Sequence, residues 1–334
     1  MDTKFKRLFA VILLAFLLFS CGTSSKSGLS SLEEAYPESR YLYAIGHGDN
    51  LREAEKNAIG KLSNIFQSKV NVNQSLSENY TEFSNDDNST IEYKSKLNKR
   101  INLSSNQELI NVKTGKHYTD ENGTVYVVAY INRLETSFIY EEKIQNNDNT
   151  IQSLVNNAKQ SDRKIIKYAS LNKATKLIDE NLNLLKQLSV ISPSPVSYDE
   201  ELSKYNSIQR EKGEVANSIV FNFTNKDNEL TNTLADELTS EGFRIGNNVD
   251  YKIYSEIRYE KVDLGRSEIF FTWESNIKLT DRNGDTIFSF RQSGREGGNT
   301  ESAVLARVKH TINQKTADTF ISKFDEYLDS LLGS

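Results

Sequence analysis

The sequence predicts an α+β protein: two small α+β domains joined by a long helical hairpin, behind an amino-terminal leader. Three observations lead there. Short aromatic and aliphatic runs, bounded by Gly or Asn-Gly turns, mark strands in residues 38–133 and 213–334. Apolar residues recurring every three or four positions mark helices beside those strands. Between the two groups, no Pro or Gly interrupts residues 124–191, as a continuous pair of helices requires. A chain of 334 residues exceeds one ordinary core. With 37% hydrophobic and 26% charged residues it is too apolar to be disordered throughout. One Cys and three His exclude a disulfide framework, and Cys/His metal clusters are not expected.

The leader is the most explicit segment. Lys4, Lys6 and Arg7 precede twelve apolar residues, Leu8 to Phe19. Twelve helical residues span about 18 Å, short of the roughly 30 Å hydrocarbon core, so residues 1–20 read as a secretory signal rather than a membrane span. Leu18-Phe19-Ser20-Cys21-Gly22 follows. It resembles the bacterial lipobox, which implies cleavage between Ser20 and Cys21, a diacylglyceryl group on the Cys21 thiol and an acyl chain such as palmitate on the new amino terminus. Several chains anchor durably where one is marginal. Cleavage removes Lys4, Lys6, Arg7 and Asp2, a net +2, so the formal charge falls from −5 to −7. An acidic body does not suit nucleic acid. Gly22 rather than Asp follows the Cys, which under the enteric sorting rule implies the outer membrane. Residues 21–37 read as a flexible tether.

In the first domain, 38–133, Tyr41–Ile45 reads as a strand, with Gly46-His47-Gly48 as the turn that ends it. Asn50 and Glu53 form a capping-box-like start, and Leu51, Ala54, Ala58, Leu62, Ile65 and Phe66 give residues 50–68 a helical stripe. Residues 69–83 alternate weakly, and 90–107 are ambiguous between strand and helix. Glu108–Tyr118 and Thr124–Ile131 form a hairpin about Asp120-Glu121-Asn122-Gly123, with Asn-Gly favouring a type I′ turn.

The helical hairpin is read over 134–192. Leu134, Phe138, Ile144, Ile151, Val155 and Ala158 stripe its first arm, and Ile165, Ala169, Leu177, Ile178, Leu182, Leu185 and Leu188 its second. In the second domain, Ser218–Phe223 is a strand, and 226–241 is a helix closed by Gly242 as a C′ glycine. Asp250–Glu260, Glu268–Leu279 and Thr286–Phe290 are strands, the last two joined by a turn at Asp281–Asp285. Ser293–Gly298 reads as a loop. The final helix, 300–331, carries Leu305, Val308, Ile312, Phe320, Phe324, Leu328 and Leu331 on one face.

Motifs for chemistry are sparse. The strand, Gly46-His47-Gly48 and helix superficially imitate a dinucleotide fingerprint, but Leu51 occupies its third glycine position. Gly60-Lys61 lacks a phosphate-binding loop. Asp281-x-Asn283-x-Asp285 begins like an EF-hand, yet Thr286 and Gln292 stand where Gly and Glu are required, so a hairpin turn explains it. Gly294–Gly298 as a lone glycine loop does not make an anion site. His47, His117 and His310 have no nucleophile partner in sequence, and His310 lies on the polar side of its helix. Carboxylate pairs such as Glu33-Glu34 and Asp86-Asp87 lie in tether or loop. The basic residues of 93–100 and 203–212 are mixed with acids, and 34 Asn make the Asn-x-Ser/Thr triplets at Asn79, Asn88 and Asn122 expected by chance. No catalytic residue, metal or cofactor is expected.

The lipobox, then YLYAIGHGDNLREAEKNAIGKL, then VYVVAYINR resembles the LPP20-like family of bacterial lipoproteins. The shared pattern is an aromatic strand, Gly46 and Gly48, a helix carrying Ala54 and Ala58, and a late strand at Tyr126–Ile131. Ala54 and Ala58 let that helix lie close on the sheet, and the glycines let the chain turn sharply onto it. The carboxyl half is similar to the amino-terminal domain of TolB and to curli-secretion-type lipoproteins, at Leu234 to Phe243, Asp250-Tyr251, the Asp281/Gly284 hairpin and Ala303 and Ala306. The pairing resembles the flagellar H-ring protein T, from which the helical hairpin and the lipid anchor depart. These resemblances imply a non-enzymatic, membrane-anchored module facing the periplasm, with envelope proteins or further copies of itself as partners. A surface-displayed binding lipoprotein, and an enzyme whose site is not visible in sequence, are the alternatives.

Overall fold

The computed structural model describes residues 28–72, 109–194, 198–224 and 229–333. Ser20, Cys21, Asn79, Asp86-Asp87, Asn88, and the stretches 73–83 and 90–107 lie outside the described residues. The chain divides into two compact units, Met1–Lys69 with Glu108–Thr136, and Val70–Gln107 with Ser137–Ser334.

The first unit is a three-stranded antiparallel sheet between two helices. Its elements are α1 (Gly28–Ala35), β1 (Tyr41–Gly48), α2 (Leu51–Val72), β2 (Lys113–Thr119) and β3 (Val125–Asn132), with strand order β1-β3-β2. Leu42, Ala44, Gly46 and Gly48 share the inner face of β1 and are all buried. They align with Ile131, Ala129, Val127 and Val125 of β3. On α2 the buried stripe is Ala54, Ala58, Leu62 and Phe66, while Leu51 and Ile65 face outward. Asn50 Oδ1 accepts from Glu53 N at 3.0 Å, and Glu53 returns a carboxylate oxygen to Asp49 N at 3.2 Å, one residue earlier than a standard capping box.

Gly46 and Gly48 are corrected from turn residues to strand residues. β1 continues through both, and the change of direction falls on Asp49-Asn50. What the glycines supply is proximity. A Cβ on Gly46 would run into the nitrogen of Ala58 and the carbonyl oxygen of Ala54, and one on Gly48 would stand 2.8 Å from Ala54 N. Helix backbone therefore packs on strand backbone at Gly46, and at Gly48 the Glu53 side chain closes in beside Ala54 N.

The reading of 21–37 as a flexible tether is corrected in its later part. Residues 28–35 form α1 on the opposite face of the sheet, where Leu32 and Tyr36 are buried against Val128. Leu32 and Tyr36 lie one helical turn apart, so one side of a short helix suffices. The β2–β3 turn differs from type I′ as well: Gly123 has φ +86°, but Asn122 does not share a positive φ. Asp120 Oδ1 accepts from Asn122 N (3.0 Å) and Thr124 N (2.8 Å), fixing a turn followed by a left-handed glycine.

The second unit packs α3 (Arg133–Gln160, from Ser137 onward), α4 (Lys164–Ile191) and α5 (Asp199–Asn217) with a five-stranded sheet and two more helices. The hairpin of α3 and α4 is therefore part of this unit and not a separate connector. Side-chain hydrogen bonds cross it at three levels: Tyr140 to Gln187 (2.7 Å), Asn147 to Asn181 (2.9 Å) and Asn157 to Ser170 (3.2 Å). Of the predicted α3 stripe, Leu134 and Phe138 are exposed and Tyr140 takes the buried position. α4 is buried on nearly all sides. α5, unforeseen in sequence, packs along it through Leu202, Tyr205, Ile208 and Ala216. Tyr205 donates to Asp148 Oδ1 at 2.7 Å and accepts from Asn181 Nδ2 at 2.8 Å, so these three side chains of the helical core satisfy one another.

The sheet comprises β4 (Val220–Phe223), β5 (Arg244–Ile245), β6 (Tyr251–Val262), β7 (Ile269–Asp281) and β8 (Thr286–Gly298), in the order β5-β4-β6-β7-β8. β4 is parallel to β5 and β6, and the rest is antiparallel. Helices α6 (Glu229–Ser240) and α7 (Glu301–Ser330) close the core with Leu230, Leu234, Leu238, Val308, Ile312, Phe320 and Phe324. Gly242, at φ +91°, ends α6 as expected, and Thr300 caps α7 by accepting from Ala303 N. Ser293–Gly298 is not a loop: β8 runs through it, paired with Ile269–Glu274 of β7. Cβ atoms on Gly294 and Gly297 would strike the rings of Trp273 and Phe270, so each glycine makes room for an aromatic of the neighbouring strand.

Two predictions follow from this packing. Gly46→Ala should lower the urea midpoint by the equivalent of about 1–3 kcal/mol, since an overpacked contact cannot relax into backbone. Gly60→Ala on the same helix, where a Cβ meets nothing, should raise it by about 0.5–1 kcal/mol. The second prediction concerns alkaline pH. Burial, chiefly, pushes the hydroxyl of Tyr198 up to about 12, and raises those of Tyr205 and Tyr251. Unfolded tyrosine titrates near 10, so this stability is fully present below about pH 10 and is lost as pH rises through the folded values. Denaturation midpoints measured across that range should fall, and Tyr205→Phe should shrink the fall. At neutral pH that variant should cost about 1–3 kcal/mol, because Asp148 and Asn181 lose a partner.

Candidate functional site

The candidate site is the first unit's sheet and its two helical covers. Alternation along β1 and β3 puts small residues on one face and aromatic residues on the other. The small-residue face receives α2. Its hold on the sheet extends to the edge of β1, where Asn57 Nδ2 donates to His47 O at 2.8 Å and Lys61 Nζ to Ile45 O at 3.2 Å. These side chains occupy edge carbonyls that would otherwise accept from another strand.

The other face carries Tyr41, Tyr43, Tyr118, Tyr126 and Tyr130 beneath α1. Tyr36 is its centre. Its ring lies 4.9 Å from Tyr130 and 5.3 Å from Tyr41, and its hydroxyl accepts from Lys116 N at 3.0 Å. Two glycines make this possible: a Cβ on Gly115 would meet the Tyr36 hydroxyl, and one on Gly28 the Tyr118 ring. Burial, together with the nearby Glu33 and Glu38 carboxylates, raises the Tyr43 hydroxyl above its ordinary value. Near neutral pH such a tyrosine stays protonated, so the face is an aromatic packing surface with hydroxyl rims rather than an acid–base site.

The histidines do not converge within this unit. His47 is exposed on the tyrosine face, its ring 6.0 Å from Tyr126. His117 lies opposite Val127, on the face that receives α2. His310 is an exposed residue of α7 in the second unit, in keeping with its place on the polar side of that helix. Among the described residues no group of three or more His, Cys, Asp or Glu is arranged to hold a metal ion, and no helix is long and apolar enough to cross a membrane. Gly60-Lys61 lies within α2, where Lys61 serves β1.

Asp281, Asn283 and Asp285 form the β7–β8 turn. Asp281 Oδ1 accepts from Asn283 N and Asp285 N, both at 2.9 Å, and Gly284 has φ +91°. Asp120–Thr124 in the first unit uses the same chemistry. Asp250 is spent structurally too: it accepts from Val220 N (3.0 Å), Arg282 (2.7 Å) and Lys164 (3.4 Å), joining α4, β4 and that turn. Sequence reasoning missed the contribution of α1. Its signal was present in the spacing of Leu29, Leu32 and Tyr36, within a Ser- and Gly-rich setting.

Residues 30–132 match the LPP20 lipoprotein family. The match begins inside α1 and ends at the last residue of β3. No curated protein matches the chain by sequence. Among solved structures, the secreted protein HP1454 from Helicobacter pylori is similar at 15% identity, with a TM-score of 0.39, over 83% of this chain and 96% of that one. A minor lipoprotein from Acinetobacter baumannii matches at 16% identity and a TM-score of 0.27, over 32% of this chain and 91% of its own. Lipoprotein GNA1162 from Neisseria meningitidis matches at 17% identity and a TM-score of 0.21, over 29% and 98%. The likeness to LPP20 lipoproteins read from the aromatic strand, the glycines and the small-residue helix holds over residues 30–132.

Proposed function

We propose that the protein is anchored by acylation of Cys21 in the outer membrane, faces the periplasm, and serves as a non-catalytic assembly module for envelope components. The observation that carries this reading is the position of the lipobox. Leu18-Phe19-Ser20-Cys21 ends nine residues before the LPP20 match begins at residue 30. A lipid-modifiable cysteine thus stands where a lipoprotein domain needs it, and it is the chain's one Cys. The absence of Asp after Cys21 favours the outer membrane. In both units, polar side chains are engaged in holding the fold: Asp120 and Asp281 in turns, Asp250 between elements, Asn181 and Tyr205 within the helical core. That economy favours assembly over catalysis.

Cys21→Ala should move the protein from the membrane fraction to the soluble periplasm. Unchanged fractionation would overturn the anchor. Cross-linking in intact cells, followed by identification of what co-purifies, tests the role: a stoichiometric set of envelope proteins, or a defined homo-oligomer, supports it, and the lack of any cross-linked species counts against it. Protease added to intact cells should leave the chain uncut, whereas cleavage would place it on the surface.

A further inference from the structure

One end of the first unit's sheet collects several features. The β2–β3 turn, Asp120–Thr124, lies there, because Thr119 and Gly48 both align with Val125. The Asp49-Asn50 turn and Leu51, at the start of α2, follow directly from Gly48. α1 also begins at this end, since Gly28 sits on the ring of Tyr118. It runs from there toward the other end, where Tyr36 packs on Tyr41 and Tyr130. That far end holds Pro37–Arg40 and Asn132, where Arg133 N donates to Arg40 O at 2.9 Å. The chain thus enters the unit at one end of the sheet and leaves it at the other.

We infer that this unit stands on the lipid surface by its entry end, with Gly28, Leu29, Leu51 and the β2–β3 turn toward the bilayer and the exit at Asn132 away from it. The inference rests on the acylation of Cys21. Six residues, Gly22–Ser27, separate that cysteine from Gly28. However they are arranged, seven residue steps reach at most about 25 Å. An eight-residue strand is about 26 Å long. Turning the unit over would lift Gly28 by a full strand length and draw those residues taut, at the cost of nearly all their conformational freedom. α1 supplies no slack, because Gly28, Leu32 and Tyr36 pin it along its length.

The surface chemistry of that end agrees. Leu29 and Leu51, on the two helices that flank the sheet, are 37% and 45% exposed. The charged groups there include Asp49, Glu53, Asp120 and Glu121 beside Arg52 and Lys116, a mixture that gives no basic attraction to anionic lipid. The suited occupant is a zwitterionic lipid surface, met by two leucines and held close by the anchor.

The test uses the full-length, processed protein in phosphatidylcholine vesicles. With Cys21 acylated, any introduced cysteine is the only free thiol. A fluorophore is placed at Glu121→Cys, in the entry-end turn, or at Ser39→Cys, at the exit end, and is quenched by lipids spin-labelled on the headgroup. Quenching at 121 is expected to be several-fold stronger than at 39. A Gly-Ser spacer of about 20 residues inserted between Ser27 and Gly28, adding a coil of about 25 Å, should abolish the difference. Equal quenching at both positions, or stronger quenching at 39, overturns the orientation. Flotation with the vesicles separates the two ideas: a protein that does not float refutes the anchor and the orientation together, while one that floats with equal quenching refutes the orientation alone.

Discussion

The contact on which the first unit depends is the approach of α2 to β1 at Gly46, where helix backbone meets strand backbone. Hydrophobic area alone does not secure it, since alanines bury little apolar surface compared with leucine or phenylalanine. What it supplies is register. With Ala54 and Ala58 against Gly46 and Gly48, the helix can neither slide nor roll without placing a larger side chain where there is no room. Leu62 and Phe66 then fall over the sheet, and Asn57 and Lys61 reach the free carbonyls of β1. The opposite face is fixed by a second use of glycine, at Gly28 and Gly115 against tyrosine rings. The sheet is thereby held on both faces.

The second unit applies the same device to a larger sheet. Gly294 and Gly297 lie beneath Trp273 and Phe270, which let two bulky rings cover a long antiparallel ribbon without pushing its strands apart. Each unit also closes a hairpin with Asp-x-Asn-Gly, the aspartate binding two backbone amides and the glycine taking the left-handed position. The helical layer differs. There, tyrosine, asparagine and glutamine side chains bridge α3, α4 and α5, and the directionality of their hydrogen bonds sets which faces meet.

Much of this was legible in the sequence, and the failures share a cause. The stripe from Leu305 to Leu328, the hairpins, the C′ role of Gly242 and the paired helices follow from local periodicity and turn chemistry. Gly46, Gly294 and Gly297 did not, because a glycine read locally signals a turn, while its use here depends on a residue across the sheet or on the next helix. Helical spacing alone placed Leu134 and Phe138 inside, although both are exposed and the first large buried side chain of the helix is Tyr140. α5 escaped notice because its buried side includes Tyr205, Asn206 and Lys212, polar residues that weaken an apolar stripe. At the site, the sequence pointed to the glycine strand and the LPP20 likeness, but not to α1, whose two anchoring residues follow a Ser-rich segment.

The docking of α1 gives this oversight consequence. The helix begins seven residues after Cys21, so the proposed acylation of that cysteine would bear directly on how the unit matched by the LPP20 family is held. Mass spectrometry of the amino-terminal peptide of the protein purified from membranes tests that link most directly. The expected species begins at Cys21 and carries a diacylglyceryl group on sulfur and an acyl chain on nitrogen. A mature chain beginning elsewhere, or an unmodified Cys21, would contradict it.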